Sequence, residues 1–231
     1  MRNYIHNEFK QLGTDYNSVD EVAQYDARMR QFRDIESENR HLSRLAGVSS
    51  GSVVLEIGTG TGAWACHAAQ NCQWVDALDI STVMLEYATS RAKSKSLKNI
   101  SFIHAGFLSY DYPLNKYDAV VNSLVMHHLS DVWKAVALQK IFSALKPGGI
   151  LALADVVFNW EADSPETYFK RILEYAPGSK DEFARHIADE LSTQDWIMTG
   201  LLERAGFSIE STEVQQEFLY FYQCRKPACG A

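Results

Sequence analysis

The chain has 231 residues, 46% of them hydrophobic, and a formal net charge of −7 with a pI near 5.5. That apolar share is ordinary for a buried core and excludes a disordered chain, while the acidic balance repels nucleic acid and anionic membranes, so neither is expected as a partner. The longest apolar run, Ile150 to Phe158, is broken by Asp155 and falls far short of the ~20 residues a membrane span needs. The start, Met1 to His6, lacks an apolar signal segment, and Cys66, Cys72, Cys224 and Cys229 form neither a CxxC pair nor a zinc-ligand spacing, so a reducing cytoplasm with free thiols is the expected setting.

Residues 1–50 read as a helical cover: apolar residues recur at three- and four-residue spacing from Val19 to Phe32 and from Ile35 to Leu45, and Gly47 supplies a stop. An α/β domain over 51–231 follows. Ser52 to Ile57 is a β-branched strand running into Gly58-Thr-Gly60-Thr-Gly62. Ala63 to Gln70 is a helix, Trp74 to Asp79 a strand, and Ser81 caps a helix through Ala92. The basic stretch Arg91 to Lys98 has the look of a solvated helix end.

Ile100 to Ala105 and Tyr117 to Asn122 are further strands. A helix opening at Ser130 or Asp131 is stopped by Lys146-Pro-Gly-Gly149, and Ile150 to Val157 is a buried strand. Between 159 and 192 the alternation pauses for a helical cap insert, with one helix starting at Ser164-Pro165 and another at the capping box Ser179 to Glu182. Thr193 to Arg204 is a core helix, and Phe207 to Glu213 and Gln216 to Arg225 pair antiparallel about a turn at Val214-Gln215. Strands alternating with helices predict a doubly wound, mostly parallel seven-stranded sheet with an antiparallel C-terminal strand.

A strand entering a glycine loop and then a helix lets a ligand approach the backbone, and the helix N–H groups favour an anionic group. Asp79 ends the next strand, where a carboxylate can accept both ribose hydroxyls of an adenine nucleoside. Gly58-x-Gly60-x-x-Ala63 also satisfies the dinucleotide pattern, so a nicotinamide-dependent oxidoreductase is the alternative at this point.

Val54-Leu-Glu-Ile-Gly-Thr-Gly-Thr-Gly62 resembles motif I of the class I S-adenosylmethionine-dependent methyltransferases. Leu78 to Ser81, Met84 to Ala88, Tyr117 to Leu129, Leu145 to Leu153 and Ala205 to Phe207 are similar to its later segments in the right order, covering roughly Val19 to Lys226. The resemblance implies S-adenosylmethionine as cofactor and, by position, a role for each of several residues. Glu56 orients the loop and the methionine amino group, Gly58 and Gly60 line methionine and ribose, Asp79 takes the ribose hydroxyls, and Ile80 and Met84 pack on adenine. Asn122 and Ser123 face the sulfonium region, and Tyr25 and Arg30 belong to a covering helix, with Arg30 paired to the methionine carboxylate. Gly106 and Phe107 stand where the family often has an acid reading the adenine amino group, which leaves adenine to backbone groups and stacking on Phe107.

Methyl transfer from a sulfonium is a direct displacement, for which the protein aligns the reactants. A base is needed only when the acceptor arrives protonated. His128 and Asp155 are the expected catalytic residues, with His128 facing inward and His127 at the cofactor edge. The aromatic residues Phe158, Trp160, Tyr168, Phe169, Tyr175 and Trp196 either enclose an apolar acceptor or form the core of the cap. No histidine or cysteine spacing predicts a metal site. The expected function is methyl transfer to a small molecule, with a catalytically silent cofactor-binding regulatory module as a further alternative.

Overall fold

The computed structural model describes residues 4–10, 16–30, 33–161, 163–175 and 180–228. Helices α1 (Val19–Met29) and α2 (Ile35–Leu45) precede the sheet, each begun by a polar side chain that accepts an otherwise unpaired N–H: Ser18 from Glu21, Asp34 from Ser37. Then come β1 (Val53–Ile57), α3 (Ala63–Ala68), β2 (Trp74–Asp79), α4 (Thr82–Ser94), β3 (Ile100–His104), β4 (Tyr117–Ser123), a 3-10 turn (Met126–His128), α5 (Asp131–Ala144) and β5 (Leu145–Phe158). The cap contributes α6 (Pro165–Ile172) and α7 (Lys180–Asp189). A short β6 (Thr193–Gln194), α8 (Asp195–Arg204), β7 (Ser208–Gln215) and β8 (Leu219–Arg225) complete the chain.

The sheet order is β3-β2-β1-β4-β5-β8-β7, with β1 to β5 parallel, β8 antiparallel to β5 and β7, and β6 paired with the end of β5. Because side chains alternate along a strand, each strand feeds two cores. Leu55, Leu78, Val120 and Leu151 meet Leu138 and Ile141 of α5 and Leu202 of α8, while Val54, Val75, Val121 and Ala152 meet Trp64 of α3 and Leu42 of α2. Order reverses between β1 and β4, and in open α/β sheets ligands sit beyond the carboxyl ends of the strands at such a reversal.

Several boundaries differ from expectation. The helix stops before Lys146-Pro-Gly-Gly149 as expected, but the strand opens at Leu145 instead of Ile150: Leu145 opposes Tyr117, the register slips, and Gly148, at φ +81°, donates its N–H to Lys226 O. The C-terminal turn lies at Gln216 to Phe218 rather than at Val214-Gln215, because Gln216 and Glu217 take the positive φ values that reverse the chain. Thr193 and Gln194 extend the sheet instead of opening α8. Ser179, expected to cap α7, lies outside the described residues. Arg91, expected in solvent, is half-buried and pairs with Asp26 of α1 and the Thr61 hydroxyl.

One polar tie crosses the sheet. Asp76 on β2, 4% exposed, accepts from Trp74 Nε1 at 2.9 Å, Lys116 Nζ at 2.6 Å and the Tyr117 hydroxyl at 2.8 Å, reaching across β1 to the start of β4. Lys116 and Trp74 reach solvent, so removing Asp76 costs chiefly the buried bond from the Tyr117 hydroxyl to a charged acceptor. Asp76→Ala should therefore lower unfolding free energy by about 1.5–3 kcal/mol, seen as a lower urea midpoint at unchanged slope. An unmoved midpoint would mean the tie adds nothing.

Candidate active site

Beyond the carboxyl ends of β1, β2 and β4 lies a cavity of about 660 Å³ whose walls include Gly58, Gly60, Asp79, Ile80, Met84, Gly106, Phe107, Ser123, His127 and His128. Its floor is set by backbone conformation. Gly58 and Gly60 have φ of +77° and +53°, and both Gly58 and Thr59 donate their N–H groups to Leu78 O, folding the loop against the end of β2. A Cβ on Gly58 would lie 2.2 Å from Val125 Cγ2, whereas one on Gly60 would meet nothing within 4 Å and would stand in open space. The first glycine is required by packing and the second by its left-handed φ.

Asp79 holds this loop in place, accepting from Gly60 N at 2.7 Å through one oxygen and from Ser81 N at 2.9 Å through the other. Burial pushes its carboxyl up in spite of these bonds. Glu56 sits behind the loop and is absent from the cavity wall; it accepts from the Thr59 hydroxyl at 2.5 Å, and burial carries its carboxyl up to about 8. Asn122 is likewise buried, donating to Ile57 O at 2.9 Å, so Ser123 alone of that pair reaches the cavity. A tight fold of the chain is needed just beyond: Leu124 takes φ +57°, a strained value for a large side chain, and swings the Val125–His128 segment over the cavity.

The cover meets the loop through Asp26, which accepts from the Thr61 hydroxyl at 2.6 Å and pairs with Arg91. Tyr25 lines the cavity, edge-on to Tyr16, and burial raises its phenol. Arg30 does not: it is exposed at the C-terminal end of α1, whereas Arg28, Arg33 and Arg44 lie on the wall, with Arg33 held by Glu38, its Nε 3.0 Å from each oxygen. α1 ends at Met29, whose carbonyl accepts the Arg33 N–H at 2.9 Å.

Two carboxylates, Glu8 on the wall and Glu190 behind His127, had no signal in the sequence. Glu8 lies about 100 positions from the strand it completes: its carboxylate accepts from Leu108 N at 2.9 Å and Ser109 N at 2.7 Å, against Gly106, where the expected acid is missing. Glu190, at the end of α7, faces His127 Nε2 at 3.2 Å. His127 and His128 both line the cavity, because the 3-10 turn holds their rings 4.4 Å apart, tilted by 57°, instead of sending them to opposite sides.

Asp155 is 1% exposed and lies behind His127, accepting from its Nδ1 at 2.5 Å and its backbone N–H at 3.0 Å. Burial opposes a charge on His127, but Asp155 and then Glu190 outweigh it and raise the imidazole. Burial and then His127 push His128 down to about 4, which makes it a poor proton acceptor at neutral pH. The cap aromatics mostly pack on one another: Phe158 and Tyr168 are buried with Trp160 and Phe169 against them, while Tyr175 and Trp196 are exposed. On this side Phe183, Phe218 and Phe221 face the cavity, opposite Tyr16, Tyr25 and Phe107.

Glu56 yields a pH prediction. Its folded value, about 8, lies above its ordinary 4.5, so between these limits the native chain keeps a proton that the unfolded chain releases. This contribution to stability is full below pH ~4.5 and is lost as pH rises to ~8. Glu56→Gln, which keeps the shape and cannot ionise, should flatten that part of the stability–pH curve of the cofactor-free protein. Parallel curves for variant and parent would show that Glu56 ionises normally.

Residues 54–149 match a family described as "Methyltransferase domain". An uncharacterized methyltransferase of Bacillus mycoides is 28% identical over 221 residues, covering 93% of this chain and all of that one. Among solved structures, a putative methyltransferase from Haloferax volcanii in complex with the Trm112 activator superposes with a TM-score of 0.72 at 15% identity, over 94% of this chain and all of its own. Phosphoethanolamine N-methyltransferase 2 of Haemonchus contortus, with S-adenosylmethionine bound, gives 0.67 at 17% identity over 93% of this chain and 60% of that one. The chain is thus similar to methyltransferases in sequence over residues 54–149 and in fold over most of its length.

Proposed function

We propose that this protein methylates a small molecule held between the turn at 126–128 and the cap. The observation that carries the proposal is the continuity of the cavity: the walls that begin at Gly58, Gly60 and Asp79 run on past Ser123 and His128 to Val156, Phe183 and Phe218. Its volume of about 660 Å³ falls in the range of about 300–1,000 Å³ usual for small-molecule sites. A net charge of −7 further disfavours RNA as acceptor.

S-adenosylmethionine, when bound, supplies an electrophilic methyl on sulfur for direct displacement. The backbone of Gly58 and Gly60 takes the methionine and ribose part, Asp79 the ribose hydroxyls, and Ile80, Met84 and Phe107 the adenine. Glu8 offers the carboxylate that Gly106 lacks; its oxygens retain free lone pairs for the adenine amino group. Glu56 sits behind the loop and holds it through the Thr59 hydroxyl, which orients the part that takes the methionine ammonium. Ser123 and His128 border the region between methyl and acceptor, and Phe183 and Phe218 give the acceptor an apolar wall. Asp155 is a positioning residue that acts through His127. The low value of His128 argues against its expected role as base and leaves it a contact that orients the acceptor.

Measuring S-adenosylhomocysteine release across panels of small molecules, RNA and protein extracts tests the acceptor class. Turnover should occur with small molecules; turnover confined to RNA or protein would sink this reading, and cofactor binding without any turnover would favour a regulatory module. Cofactor contacts are tested by calorimetry. Asp79→Asn should weaken S-adenosylmethionine binding about 10- to 100-fold, the loss of a charge-assisted hydrogen bond worth about 1.5–3 kcal/mol. Gly60→Val should weaken binding further, because the added side chain enters the space the ligand needs. Parent affinity in either variant would remove that residue from the site.

A further inference from the structure

We propose that His127, His128 and Glu190 bind one divalent transition-metal ion on the acceptor side of the cavity. One ligand atom from each of these residues lies within 4.8 Å of the others, and His127 Nε2 is 3.2 Å from Glu190 Oε2. Slight side-chain rotation brings such a set onto one ion at the about 2.0–2.2 Å of nitrogen and carboxylate ligands. Two imidazoles and one carboxylate suit zinc, iron(II) or their neighbours, whereas calcium and magnesium prefer all-oxygen shells.

The surroundings have the features of a built site. Asp155 binds His127 Nδ1, which fixes the ring and leaves Nε2 directed at Glu190, the arrangement by which carboxylates orient metal-ligating histidines. Glu190 is fixed in turn: Leu191 donates its N–H to His127 O at 2.8 Å, and His186 Nδ1 lies 2.5 Å from the other Glu190 oxygen. The side chains of Asp155 and Glu190 are 1% and 4% exposed, so two carboxylates lie together away from water. The neighbouring cation, Lys134, is 2.9 Å from Asp131 and 2.5 Å from Leu191 O, and so is directed partly elsewhere.

Three protein ligands leave coordination positions for water or for an oxygen of the acceptor, since His127 and His128 both face the cavity. The acceptor class this implies, a molecule with a hydroxyl or carboxylate oxygen beside its methylated atom, rests on the methyl-transfer reading; the metal site itself does not.

The test uses the full-length protein without an affinity tag, stripped with chelator and titrated with Co²⁺ alone and with Zn²⁺ in competition. One Co²⁺ per chain should bind, with visible d–d bands that Zn²⁺ abolishes. His128→Ala and Glu190→Gln should each weaken binding at least about 10-fold, and Asp155→Asn about 10- to 100-fold through the orientation of His127. Thermal melts identify any variant that fails to fold; His128→Ala, at a half-buried side chain on a turn, decides the matter if the buried variants do. Absence of saturable Co²⁺ binding, thiolate charge-transfer bands, or parent affinity in a folded His128→Ala would overturn the proposal. Calorimetry of S-adenosylmethionine on the same stripped protein is read separately, so loss of cofactor binding counts against the methyltransferase reading and loss of Co²⁺ binding against the metal site.

Discussion

The loops that follow β1 and β4 approach so closely that no side chain fits between them, and the rest of the site depends on that contact. A Cβ on Gly58 would overlap Val125, and Val125 is where it is because Leu124 turns the chain through a left-handed φ. Neither loop is free to relax, since Gly58 and Thr59 are bonded to the end of β2 while Leu124 N is bonded to Ala154 O on β5. Two strained corners, each over-determined by neighbouring strands, thereby set the distance between a glycine floor and a histidine rim. Strain of this kind persists only where surrounding structure enforces it, and here the sheet does so.

The polar groups around the cavity share one electrostatic character. Glu8, Glu56, Asp79, Asp155 and Glu190 all stand at or just behind its wall, and burial raises the carboxyls of Glu56 and Asp79. Such a collection is costly in an apolar interior unless cations answer it. In the function proposed above, the sulfonium and ammonium of S-adenosylmethionine answer the half of the site near Glu56 and Asp79. The half near Asp155 and Glu190 is answered in the protein by His127, and its two histidines give it the donor set for a metal.

The N-terminal cover is integrated with the site by specific polar contacts as well as by apolar packing. Asp26 joins α1 to the glycine loop and to α4, Ser81 donates to Tyr16 O at 2.6 Å, and Glu8 takes two backbone N–H groups beyond β3. Each contact ends on a residue adjoining the cofactor half of the cavity. The segment thus supplies wall as well as lid, and Glu8 puts a carboxylate where the α/β domain has only Gly106.

Local sequence determined the parallel core because its signals act over a few residues: a β-branched run marked β1, short apolar stretches between turns marked β2 and β4, Ser81 and Ser164 capped α4 and α6, and positive φ at Gly58 and Gly60 required glycine. Asp79 was legible for the same reason, being fixed by its place at the end of β2. The tertiary structure decided what depends on distant partners. Arg28, Arg33 and Arg44 lie on the wall while Arg30 is exposed, Asn122 is lost to Ile57 O, and Glu8 binds the chain 100 residues away. His127, Asp155 and Glu190 come together from three elements whose sequence spacing follows no ligand pattern, because sheet register and the docking of α7, not chain distance, bring their side chains into contact.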